Sequence, residues 1–302
     1  MTDTLTPVLE SEKVRQELPH GLAVDFDKMF HELTGRRAAK ANRKRLALLN
    51  RAAPVLRSAL EPEEKVLYIA QGMVNNFWEQ YFTGWAAIYR NQTLLIATDR
   101  RFILLHCDRK GRPCHFANEV PYQAITKLKG GGTLSSLTIG WNKGSLALAY
   151  IQKQDSKRFH EYWTEALTWH VQSPIARNLE QRNHLCPSCY TPIEQLIEAC
   201  PRCRKYFKTP KAAALRSLAL PGLGDLYLGH SFFAVLEMIG AAVVLGIVLT
   251  MILTSTTAEE YVGSAIVSVF LVAFYHGVDA LVTLSIAKKG LIADDRKLAQ
   301  RE

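Results

Sequence analysis

Cys186-Pro-Ser-Cys189 and Cys200-Pro-Arg-Cys203 form two Cys-x-x-Cys pairs with a ten-residue separation. Each pair can turn two thiolates to one side of a tight knuckle, and two knuckles can close four sulfurs tetrahedrally around one soft divalent ion. The expected ion is Zn²⁺, with mononuclear iron as the alternative. Four thiolates leave no position open for substrate, so the expected role is structural. Arg202, Arg204 and Lys205 stand where they can offset the negative centre. Zinc knuckles commonly carry glycine after the second cysteine; here Tyr190 and Arg204 stand in those places, which questions the turn geometry and not the ligation.

A second set of chemically capable residues lies in apolar sequence: Glu237, His276 and Asp279, with Asp225 and His230 at the entry. At membrane depth each ionisable side chain costs on the order of 2.5–3.5 kcal/mol unless paired or wet. His276 and Asp279 are three apart and share a helix face, toward which an antiparallel neighbour would present Glu237. Two readings follow, a proton or cation site and a set of interhelical hydrogen bonds that fixes packing. A two-helix hairpin is too small to enclose a pathway unless it oligomerises, which favours the second. Cys107 and Cys114 flank the turn Asp108-Arg-Lys-Gly111 and are expected as free thiols on neighbouring strands, with no His or acid pattern to make a nucleophile. The sequence holds no Gly-rich phosphate loop, no Ser-His-Asp ordering and no His-Glu-x-x-His, so no enzyme is expected.

The membrane elements that would position the second set are legible. Phe232 to Leu253 and Val262 to Ala287 are apolar runs long enough to span a ~30 Å hydrocarbon core. The loop between them, Thr254 to Tyr261, has no Lys or Arg. Lys205, Lys208, Lys211 and Arg216 precede the first run, and Lys288, Lys289, Arg296 and Lys297 follow the second, which places both ends on the cytoplasmic side. The cysteines then face a reducing compartment, where metal ligation wins over disulfides. The N-terminus carries no secretory pattern, so insertion is expected through an internal segment. Pro221-Gly-Leu-Gly-Asp-Leu-Tyr-Leu-Gly229 breaks an apolar stretch beginning near Ala212 and reads as an interfacial or re-entrant turn. From about 208 to 290 the chain resembles the paired-helix TM-two domains, which open with Pro-Gly-x-Gly-x-x-Tyr-x-Gly and carry an aspartate in the second helix, matched by Asp279. That resemblance implies an architecture and no reaction.

Upstream, period-two segments at 65–70, 84–89, 93–98, 101–107, 125–128, 134–139 and 146–150 predict short antiparallel strands, with a tight turn at Trp141-Asn-Lys-Gly144. Beyond Asp155 the period becomes helical, with Phe159, Trp163 and Leu167 on one face. The expected fold is α+β and multidomain: a small barrel or split sandwich capped by a helix, a Cys₄ zinc ribbon and a two-helix transmembrane hairpin. Leu94-Leu-Ile-Ala-Thr-Asp-Arg-Arg-Phe-Ile-Leu-Leu105 and Val120-Pro-Tyr-Gln-Ala-Ile-Thr-Lys-Leu-Lys129 resemble bacterial pleckstrin-homology-like and GRAM-type domains over about 60–171. The resemblance implies a binding platform, although Met73 to Gln80, where such domains place headgroup-binding cations, has none. Helices are expected over 26–33 and 36–60, punctuated by Gly35 and Pro54. Leu46, Leu49 and Ala53 form the apolar strip, and Arg36, Arg37, Lys40, Arg43, Lys44 and Arg45 lie opposite. That arm could cover the β domain with its charges hydrated, lie on anionic lipid, or bind nucleic acid.

The expected organisation is 1–62 helical segment, 63–171 β domain, 172–183 linker, 184–207 zinc ribbon, 208–290 turn plus transmembrane helices, and 291–302 tail. A net charge of +9 favours anionic partners. The functional expectation is a scaffold or sensor of the bacterial inner membrane, multi-pass with both termini cytoplasmic, that binds a protein or lipid partner. The alternatives are a small oligomeric transport or ion-responsive protein using Glu237, His276 and Asp279, and a membrane-tethered nucleic-acid binder.

Overall fold

A computed structural model describes residues 12–30, 36–74, 91–131, 136–142, 144–169, 183–193, 197–288 and 290–294. The chain divides into two compact units, Met1–Gln195 and Leu196–Glu302.

In the first unit, α1 (Phe26–Met29) and α2 (Arg36–Ala59) precede strands β1 (Val66–Val74), β2 (Gln92–Thr98), β3 (Arg101–Cys107) and β4 (Pro113–Pro121). A single 3₁₀ turn (Tyr122–Ala124) leads to β5 (Ile125–Gly130), β6 (Leu137–Trp141), β7 (Gly144–Ala149) and α3 (Lys153–Trp169), and then to β8 (Asn183–Leu185) and β9 (Pro192–Ile193). Every pairing is antiparallel, in the order β5-β6-β7-β1-β2-β3-β4-β8-β9. The hydrogen-bonded order runs from β5 to β9, and Ile125, Leu128, Leu137, Ile139 and Leu148 of β5–β7 lie in one core with Leu95, Phe102 and Leu104 of β2 and β3. The expected strand at 84–89 lies outside the described residues.

Alternation sends the strand side chains to two faces, and a helix covers each. On one face Leu94, Ile96, Ile103 and Leu105 pack with Leu46, Leu49, Ala52 and Leu56 of α2. On the other Leu95, Ala97, Phe102 and Leu104 meet Phe159, Tyr162 and Ala166 of α3. Burial on both faces is why β2 and β3 read as near-continuous apolar runs. The face of α3 is Phe159, Tyr162 and Ala166, with Trp163 and Leu167 only half-buried. Segment 1–62 and the strands after it thereby share one core.

Helix α2 runs through Pro54. Proline there cannot donate to the Asn50 carbonyl, but Asn50 and Pro54 both lie on the exposed side, where water can replace the lost bond. Lys40, Arg43 and Lys44 are exposed, whereas Arg45 turns inward to Asp155 at 3.1 Å and stacks over Tyr68 at 4.7 Å. The side chains of Arg36 and Arg37 lie outside the described residues.

β4 did not announce itself as a strand, because Cys-His-Phe-Ala-Asn-Glu interleaves too few apolar residues. The turn before it did. Asp108 accepts from the amides of Lys110 and Arg112, each at 2.8 Å, and Gly111 takes φ +79°. After β4, Tyr122 is fully buried, its hydroxyl donating to the Thr98 carbonyl at 2.5 Å and its ring edge-on to Phe102.

In the second unit, α4 (Pro210–Ala219), α5 (Leu223–Leu228), α6 (Ser231–Thr254) and α7 (Ala258–Ala287) follow one another. Thr209 caps α4 with proline at the first helical position, and a Thr257–Glu260 capping box starts α7. α6 and α7 are long and apolar enough to cross a membrane, and only 11% of each apolar window is buried inside the protein.

Candidate metal centre and the polar network of the helical unit

The four cysteines predicted as ligands come together: their sulfurs all lie within 4.8 Å of one another. The two knuckles repeat one backbone plan. In the first, Tyr190 N–H donates to the Cys186 carbonyl at 2.9 Å, and Cys186 N–H to Thr191 at 3.1 Å. In the second, Arg204 N–H donates to Cys200 at 2.9 Å, and Cys200 N–H to Lys205 at 2.9 Å. Tyr190 and Arg204 sit at φ 56° and 59°, the left-handed conformation that glycine would supply at no steric cost. The turn geometry is therefore present despite the residue types.

The set can hold a soft metal ion. Tetrahedral thiolates about 2.3 Å from an ion stand roughly 3.8 Å apart, a spacing these sulfurs admit. Cys186 and Cys200 are buried and Cys203 is exposed. Cys203 N–H approaches Cys200 Sγ at 3.5 Å, and Thr191 Oγ1 lies 3.2 Å from Cys189 Sγ, contacts of the kind that steady a ligating sulfur.

Asp225, His230 and Asp279 are joined through Thr283 and Ser217, and His276 lies in electrostatic reach of Asp279. Asp225, fully buried on α5, lies 2.9 Å from His230 Nδ1 and accepts from Thr283 Oγ1 at 3.5 Å, while Thr283 also meets Ser217 Oγ at 2.9 Å. Asp279 accepts the Gly222 amide at 3.2 Å, and His276 Nδ1 donates to the Leu218 carbonyl at 2.8 Å. Glu237 contributes its backbone carbonyl, which accepts from Tyr275 Oη at 3.1 Å. His276 and Asp279 thus serve the backbone on either side of the Leu220–Gly222 break. Such satisfaction is what a broken helix needs where water is scarce.

Sequence reasoning missed Ser217 and Thr283, whose hydroxyls carry no distinctive spacing. It also gave no reason for the individual glycines. Gly222 takes φ +87°, and a Cβ there would lie 2.5 Å from the Ala234 carbonyl. A Cβ on Gly224 would fall 2.4 Å from Ser217 Oγ and 2.7 Å from Thr283. The Pro-Gly-x-Gly element is therefore a close contact of α5 with α4, α6 and α7.

In the first unit Arg101 is a buried charge. It is 5% exposed, reaches Glu64 at 2.8 Å and Glu119 at 2.5 Å, and donates to the Ala59 carbonyl at 2.8 Å. Thr98 completes the knot through its hydroxyl to Glu64 at 2.7 Å. Thr98-Asp-Arg-Arg101 is thus a structural lock that ties the β2–β3 turn to the end of α2. Cys114 does have a histidine neighbour, His106 Nδ1 at 3.3 Å, yet burial pushes its thiol up to about 12, as it also raises Cys107. Neither thiol is a nucleophile near neutral pH.

Residues 60–165 match the family model described as Bacterial PH domain. The match covers about a third of the chain and leaves out the cysteine cluster and both apolar helices. No curated protein matches. Among solved structures, the Vps36 N-terminal PH domain is similar at 14% identity and a TM-score of 0.27, covering 38% of this chain and 86% of that one. Autoinhibited Vav1 is similar at 10% identity and a TM-score of 0.26, covering 56% of this chain and 34% of that one. The family match is confined to residues 60–165, within the first unit.

Proposed function

We propose that this chain is a non-enzymatic scaffold or sensor of the bacterial inner membrane, with its PH-like unit and zinc ribbon on the cytoplasmic side. α6 and α7 form the anchor, a TM-two-type hairpin with both ends inside. The observation that carries the reading is the exposure of the anchor's apolar residues: Phe270 and Phe274 are 71% and 72% exposed, and Leu253 81%. No water-soluble protein leaves so large an apolar surface uncovered without a use for it. A PH-like unit in the same chain supplies the platform on which a protein or lipid partner would dock, since PH domains commonly bind lipids or proteins at membranes.

Zn²⁺ would be held by Cys186, Cys189, Cys200 and Cys203, where it supplies a cross-link and no reactive position. The chain's own contribution is two knuckles of matching backbone plan that present the sulfurs together.

Two measurements test the proposal. The full chain should stay with membranes through alkaline carbonate washing; release into the supernatant would refute the anchor. In cells, removal of the PH-like unit should abolish the phenotype, whereas full activity of the bare hairpin would refute recruitment. One observation favours transport as a second reading, the complete burial of the Asp225 carboxylate beside His230. That reading requires Asp279→Asn to abolish function at unchanged membrane level.

A further inference from the structure

Two cations from separate points of the helical unit converge on one aromatic ring. The Arg216 guanidinium, near the end of α4, lies 3.7 Å from the Tyr227 ring centroid, and Lys208 Nζ, just before α4, lies 5.5 Å from it. Tyr227 belongs to α5, which the Gly224 contact and the Asp225–Thr283 bond hold against α4 and α7. Among the described residues no carboxylate pairs with Arg216. The buried acids nearby, Asp225 and Asp279, are used by His230, Thr283 and the Gly222 amide.

The surroundings say what would approach. α4 runs antiparallel to α7, from the Lys208–Ile292 backbone bond, past Ser217–Thr283, to Leu218–His276. It therefore follows the inner end of α7 for roughly 16 Å. Leu215, Leu218 and Leu226 on α4 and α5 are 66%, 51% and 49% exposed. Exposed leucines and two cations share this elbow, apolar surface of the kind acyl chains cover beside positive charge of the kind a phosphate meets.

We propose that Arg216, Lys208 and Tyr227 form a binding site for the phosphate of one anionic phospholipid of the inner leaflet, with Leu215, Leu218 and Leu226 against its acyl chains. The inference rests on the membrane reading above and names a ligand for the elbow beside the hairpin. Arg216 supplies a planar guanidinium able to form two hydrogen bonds to phosphate, and stacking on Tyr227 fixes its direction. Lys208 adds a point charge, and the tyrosine ring packs the glycerol region.

The test is native mass spectrometry of the full chain released from detergent after incubation with phosphatidylglycerol, phosphatidylcholine of the same chains, or glycerol 3-phosphate. One phosphatidylglycerol should be retained in preference to phosphatidylcholine, and Arg216→Gln should lower its retention about fivefold, with Lys208→Gln falling in the same direction. Tyr227→Leu keeps the bulk of the residue and should also weaken retention. One zinc per chain in each variant would certify folding. Equal retention of the two lipids, or unchanged retention in Arg216→Gln, would overturn the site. Binding of glycerol 3-phosphate as tight as that of the lipid would overturn the membrane source of the phosphate. These outcomes are separate from failure of the anchor, which the carbonate wash reads.

Discussion

Helices α2 and α6 have the same length, 24 residues, and opposite relations to their surroundings. α2 carries a heavy load of arginine and lysine, yet buries Leu46, Leu48, Leu49, Ala52, Ala53, Val55 and Leu56 against the sheet. α6 is almost wholly apolar and buries only Ala234 and Ala241. Burial in this chain therefore follows what stands opposite a helix and not how apolar the helix is. The polar groups differ in the same way. In the PH-like unit a buried charge is met by opposite charge, Arg101 with Glu64 and Glu119. In the helical unit Asp279 is met by a backbone amide.

The sharpest way to break the contrast is at Arg101. Arg101→Ala leaves Glu64 buried without its ion pair and should cost about 3–5 kcal/mol, read by denaturant unfolding of the PH-like unit. A loss below 1 kcal/mol would mean that water reaches the site. Next in size, Leu49→Ala in α2 should cost about 2–5 kcal/mol, while Leu245→Ala on the open face of α6 should leave thermal stability in detergent nearly unchanged. Similar losses at the two positions would show that α6 has a protein partner and would erase the difference between the helices. A smaller effect is expected at Asp279. Alanine removes the acceptor for Gly222 N–H and should cost about 1–3 kcal/mol, whereas asparagine keeps an acceptor and should recover most of it; thermal melts in detergent compare the two. Smallest is Arg204→Gly, which should stabilise the metal-loaded ribbon by about 1 kcal/mol by relieving the left-handed backbone, seen as slower loss of metal to a chelator.

Much of this was legible in the residues, for identifiable reasons. Cysteine spacing is local, so the quartet could be read directly, and the long apolar runs revealed α6 and α7. The continuous run Leu94-Leu-Ile-Ala signalled a strand with two covered faces, but which helices cover it depends on contacts distant in sequence. β4 stayed hidden because its residues are mixed in polarity and its place is set by neighbours on both sides. Arg101 could not be told from its exposed neighbour types, since a buried arginine is defined by where Glu64 and Glu119 come to rest. The aspartate and histidine of α7 were recognised as costly, but the amide and carbonyl that meet them exist only because Pro221 and Gly222 interrupt a helix at the same level.

The left-handed residues that close the two knuckles carry a consequence for how the ribbon answers to metal supply. Each holds a conformation that costs an ordinary side chain about 1–2 kcal/mol, and sulfur ligation is what would repay it. A chain stripped of its ion would lose the reason to keep either bend, and the two would relax together. One ion would tie both knuckles, so its arrival or loss would act on the two bends at once.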